Sequence, residues 1–129
     1  MLLHTLTWKY RYTCFTGCAI LLFSAAQRLL NFAGEEVGHD LSYASSHLNL
    51  LSLCSSNNHT ADMMHSTLQV IFNEMREVIV SPSYRAMIMQ HFAGPGHAKE
   101  SISGSQEVET SIRELAQRVL DLLDQPLRF

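Results

Sequence analysis

Few side chains in this sequence stand at spacings that could do chemistry. His59, Asp62 and His65 follow one another at intervals of three, which sets two imidazoles and a carboxylate roughly along one helix face. No fourth ligand is placed to close a metal site, and Asp62 falls on the polar side of its segment, so solvated polar residues are expected here. Cys14 and Cys18 stand one helical turn apart, but a zinc centre needs further Cys or His close by. They lie in the most apolar part of the chain, where cysteine behaves as a small buried hydrophobe. Gly94-Pro95-Gly96-His97 has loop glycines, yet it follows no strand and opens no phosphate-binding pattern. No Gly-x-Ser-x-Gly elbow frames a nucleophilic serine. Met63-Met64 and Met87–Met89 read as fillers of an irregular core, with the capacity to form an adaptable groove for a partner helix. The residues therefore assign no catalytic, cofactor-binding or metal site, and the expectation is a non-enzymatic chain without a cofactor.

The elements that carry these residues are helical throughout. Apolar residues recur at three and four in Trp8–Asn31 (Phe15, Cys18 or Ala19, Leu22, Ala26, Leu29), and the middle of this segment is apolar nearly all round. Gly34 is expected to stop it, Glu35–His39 to connect, and Asp40 to cap a second helix running to Cys54. Leu41, Ala44, Leu48 and Leu51 form its stripe, widened by Leu50 and Leu53. The third helix, Thr60–Val80, has the clearest period: Ala61, Met64, Leu68, Ile71, Met75 and Val78. Ser81-Pro82 caps a fourth, Pro82–Phe92, carrying Met87, Ile88 and Phe92. Residues 93–105 read as a flexible linker, and Gln106–Asp124 as a last amphipathic helix with Val108, Ile112, Leu115, Val119 and Leu122 inward. Nothing alternates at period two. The fold class expected is all-α, an irregular bundle of about five helices, divided into 1–92, the linker 93–105 and the helix of 106–129.

Composition bounds the function. The 129 residues suit one domain, and the charged share of 16% is low against an average of about 25%. A net charge of −3 lays down no footprint for nucleic acid. Three cysteines, two of them in the apolar stretch, suit a reduced intracellular protein. The alternative is a small secreted or membrane-associated helical protein. Lys9 and Arg11 precede an apolar run that ends Ser24-Ala25-Ala26, in the manner of a signal sequence, and Asn58-His59-Thr60 is a glycosylation sequon. Against it, Leu29, Leu30 and Phe32 carry the helical pattern past Ala26, and Lys9, Arg11 and Arg28 bracket too few apolar residues for a span.

Three consecutive stretches, FTGCAILLFSAAQRLLN, DLSYASSHLNLLSLCSSNN and ADMMHSTLQVIFNEMREVI, together resemble the end of the regulatory region of fungal binuclear zinc-cluster transcription factors. His47, Leu48, Leu51, Leu53, Cys54 and Ser55 match the second helix of that pattern, and Leu68, Ile71 and Phe72 the closing one. The resemblance covers Tyr12–Ile79, about half the chain. It implies part of the fungal-specific (middle homology) regulatory domain, all-α and nuclear, acting in transcription regulation through protein partners or effectors. The family's DNA-binding module needs six closely spaced cysteines; with three and no Cys-x-x-Cys, the expectation is no direct DNA binding. The rest of the regulatory domain is also missing from the pattern, so the chain reads as a fragment. An incompletely covered first helix is then expected to favour self-association.

Overall fold

A computed structural model of the chain describes residues 2–31, 34–54, 59–93 and 102–124. All of these are helical except Asn31 and Ser81. The fold is all-α, with five helices: α1 Leu2–Leu30, α2 Gly34–Cys54, α3 His59–Val80, α4 Pro82–Ala93 and α5 Ile102–Asp124. α1 is the hub, packed against α2, α3 and α5, while α4 sits on α3 and α5.

The apolar periods place their residues as the spacing predicts. Phe15, Cys18, Ala19, Leu22, Ala26 and Leu29 of α1 are all buried. They meet Ala44, Leu48 and Leu51 of α2, Met64, Leu68, Ile71 and Met75 of α3, and Val108, Ile112, Leu115 and Val119 of α5 in one core cluster. Each fully buried aliphatic side chain contributes about 1.5–3 kcal/mol, so this shared cluster holds α5 to the same core as α1–α4.

Several boundaries and faces differ from the sequence expectation. α1 begins at Leu2 rather than Trp8, and α5 at Ile102 rather than Gln106. Of the connection expected over 93–105, Ala93 ends α4, residues 102–105 form the first turn of α5, and 94–101 lie outside the described residues. Glu35–His39 is not a connection, because α2 already begins at Gly34. Asp40 is therefore not a cap. It lies inside α2 with 6% of its surface exposed, and its carboxylate answers a cation on α1 instead of free amides of its own helix. Gly38 is accommodated in α2 with open space where a side chain would stand, so it costs only the backbone entropy of a helical glycine, about 1 kcal/mol.

Leu50 and Leu53 do not widen the buried stripe of α2. They are exposed by 36% and 76%, because the helices against which α2 packs, α1 and α3, cover the arc centred on Ala44, Leu48 and Leu51. Ser81 does cap α4. Its Oγ accepts from the Tyr84 amide at 3.1 Å, satisfying one of the amides left open at a helix start.

Candidate functional site

Polar side chains converge at the α1–α2 turn. Arg28 is the first charged residue after Arg11, at the end of an apolar helix. Its Nη1 lies 3.1 Å from Asp40 Oδ1 and its Nε 3.4 Å from Glu36 Oε2. Nη1 also donates to the Glu36 carbonyl at 3.3 Å, and Ser24 Oγ donates to Asp40 Oδ2 at 3.0 Å. Both oxygens of the buried carboxylate thus accept a hydrogen bond or meet a cation, which offsets the desolvation cost of holding it inside. The arrangement is a clasp between two antiparallel helices, and each of its groups is engaged by another.

The same pairing runs down the two helices. Cys18 Sγ donates to the Ala44 carbonyl at 3.6 Å. Further along, a Cβ at Gly17 would stand 3.0 Å from His47 Nε2 and 3.2 Å from its Cδ2, so the His47 ring lies directly on the α1 backbone. His47 Nδ1 donates to the Tyr43 carbonyl at 2.8 Å, which fixes the ring over the glycine. The Cys18 thiol, with no exposed surface, is pushed up to about 12 by burial and, secondarily, by the neighbouring Cys14. It is a protonated packing group, the opposite of an activated nucleophile.

Between α3, the start of α4 and α5 lies a groove of about 430 Å³. Glu74, Glu77, Glu107 and Glu114 rim it, with Arg118 as its basic residue, over a floor of Val78, Val108 and Leu115. Arg118 pairs with Glu74 across the groove and ties α5 to α3. Two of its three serines are engaged locally: Ser81 Oγ donates to the Val78 carbonyl at 2.7 Å, and Ser111 Oγ to that of Glu107 at 2.9 Å. The groove suits a basic side chain electrostatically, and its Ser81 and Ser111 hydroxyls donate to backbone carbonyls rather than to a carboxylate. A smaller apolar pocket of about 210 Å³, walled by Leu29, Val37, Leu41, Ile79 and Tyr84, falls below the usual size of ligand sites.

The candidates singled out by spacing are not brought together. His59 and Asp62 are exposed and His65 half-buried. No group of three or more His, Cys, Asp or Glu able to hold a metal occurs among the described residues. Cys14 and Cys18 are buried thiols that form no disulfide. The methionine groups split, with Met64 and Met87 in the core and Met63 and Met89 exposed by 42% and 65%. Gly94-Pro95-Gly96-His97 and the sequon residue Asn58 lie outside the described residues. Spacing missed the Arg28–Asp40 clasp because its members lie on different helices. A lone arginine ending one apolar helix and an acid a short connection later was the available signal.

Tyr12–Leu30 is a helix long and apolar enough to cross a membrane, yet nearly half of it is buried within the bundle. No family model, curated protein or solved structure matches the chain.

Proposed function

We propose that this chain is a non-enzymatic helical interaction module, resembling the C-terminal part of the regulatory domain of fungal zinc-cluster transcription factors and acting in the nucleus through protein contacts. One observation carries this reading. The three stretches that resemble that region fall largely on α1, α2 and α3, which pack consecutively, and of the matched apolar positions Leu48, Leu51, Leu68, Ile71 and Phe72 are buried while Leu53 is exposed. The Cys18 thiol and the Ser24, Ser81 and Ser111 hydroxyls are engaged in bonds within or between helices, which also favours a binding role over a catalytic one.

The test is tethering. The chain fused to a heterologous DNA-binding domain in a fungal reporter strain is expected to change reporter output several-fold. A Leu68→Asp variant, with its core broken, should lose the effect. A folded fusion that enters the nucleus and leaves the reporter unchanged would sink the proposal.

The second reading, a secreted or membrane-associated protein, draws on the length and apolarity of Tyr12–Leu30. N-terminal sequencing of the expressed protein separates the two. A mature chain starting at Gln27 would have lost most of α1 and with it the hub of the bundle.

A further inference from the structure

The molecule has two unlike walls. α3 and α5 together carry eight acidic and three basic residues. α1 carries no charged residue from Tyr12 to Gln27, and α2 none from Leu41 to Cys54. The contacts Gly17–His47, Cys18–Ala44 and Ser24–Asp40 fix these two uncharged runs side by side and antiparallel. Ile20, one turn from Gly17, and Tyr43, one turn from His47, therefore stand at the same level, with Leu50 and Leu53 further along. Their exposures are 54%, 61%, 36% and 76%. Ile20, Tyr43 and Leu50 stand on the outside where both helices run without a charged residue, and Leu53 lies at the end of that face.

We infer that this α1–α2 wall docks a second copy of the chain. A two-fold contact presses one patch against the same patch of the copy, so a wall of predominantly one charge sign repels itself and an uncharged one does not. The predominantly acidic α3–α5 side is thus unfit for self-contact, while the α1–α2 wall meets its copy with no like charges to desolvate. The area is adequate. Sixteen residues of helix span about 24 Å, and two helices at ordinary separation, with their side chains, present about 20 Å across. That is about 500 Å² on each copy, or about 1,000 Å² in all, the lower edge of specific interfaces. A weak, reversible dimer is the expectation for an interface of this size. This inference stands apart from any role in transcription, since it concerns the purified chain alone.

Sedimentation velocity from about 5 to about 500 µM is expected to show the mass rising from 14.6 kDa towards twice that value. Ile20→Glu with Tyr43→Glu should weaken association at least tenfold, and so should Leu53→Glu, which sits too far out to disturb folding. Circular dichroism verifies that each variant keeps its helices. Mixing the Ile20→Glu/Tyr43→Glu chain with an Ile20→Lys/Tyr43→Lys chain should restore association, whereas Glu114→Lys on the other wall should leave it unchanged. A monomer at every concentration overturns the inference, whether or not the chain floats with phosphatidylcholine vesicles. So does association that none of the α1–α2 substitutions weakens.

Discussion

The Cys18 thiol lies in the core and donates to the Ala44 carbonyl at 3.6 Å. Below the ordinary thiol value of 9.0, folded and unfolded chains both keep the proton, and the burial has no pH signature. Above it, the unfolded chain releases the proton while the folded chain holds it until about 12. Stability is therefore full below about 9 and falls as pH rises across that window, by about 1.4 kcal/mol per pH unit for one proton. Tyr84 adds to the loss at higher pH, because burial raises its phenol above the usual 10.0 while its hydroxyl donates to the Leu29 carbonyl at 3.0 Å. Urea midpoints are expected to be level between pH 7 and 9 and to drop between 9 and 11, with Cys18→Ala flattening the early part of the drop. A wild-type midpoint that stays level to pH 11 would contradict the enclosure of Cys18. That a cysteine in an apolar run is an inert packing group was legible from its neighbours in sequence. That its proton is held against the carbonyl of a residue 26 positions away was not.

At the scale of helices, the α1–α2 pair turns on Gly17. A glycine in mid-helix ordinarily costs about 1 kcal/mol relative to alanine, so Gly17→Ala should stabilise α1. Here the new methyl would meet His47 Nε2 at 3.0 Å, so the ring must give by a few tenths of an ångström against the bond that holds it to the Tyr43 carbonyl. Gly17→Ala is therefore expected to give no gain in wild type and about 0.5–1 kcal/mol in a His47→Ala background. Denaturant titration of the four proteins measures the difference. Equal effects in both backgrounds would mean the two residues do not touch. The helices themselves were legible because their apolar periods are long, and α3 shows Ala61, Met64, Leu68, Ile71 and Met75 buried as spaced. The limits of the buried arc were not. Periodicity locates the centre of an apolar face, but neighbours set its width, and Leu53 at 76% exposure lies beyond what α1 and α3 cover. Asp40 misled for a related reason: local rules read an acid after a glycine-containing polar run as a cap, while its partner Arg28 belongs to another helix.

For the whole molecule, α5 is the measure of unity. Ile112 is fully buried and shares its cluster with Phe15 and Leu68. Ile112→Ala is expected to cost about 3 kcal/mol and to lower one common transition, with far-ultraviolet dichroism and tyrosine signals falling together. Loss of α5 signal ahead of the rest would show that its helix folds apart from α1–α4. The functional reading was less legible than the fold, because apolar positions such as Leu68 and Ile71 serve any buried helix equally. A pattern made of them points to a family only weakly unless polar, chemistry-bearing residues accompany it. The Arg28 clasp also has a consequence in time. Its bonds join residues 8 and 16 positions apart, whereas the Tyr84–Leu29 bond spans 55. Short closures lose less chain entropy, so the α1–α2 hairpin is expected to form ahead of the transition state and α4 to dock after it. Asp40→Ala should then chiefly slow refolding, and Tyr84→Phe chiefly hasten unfolding, in stopped-flow chevrons. The reverse assignment would place the nucleus of folding in the α3–α4–α5 half.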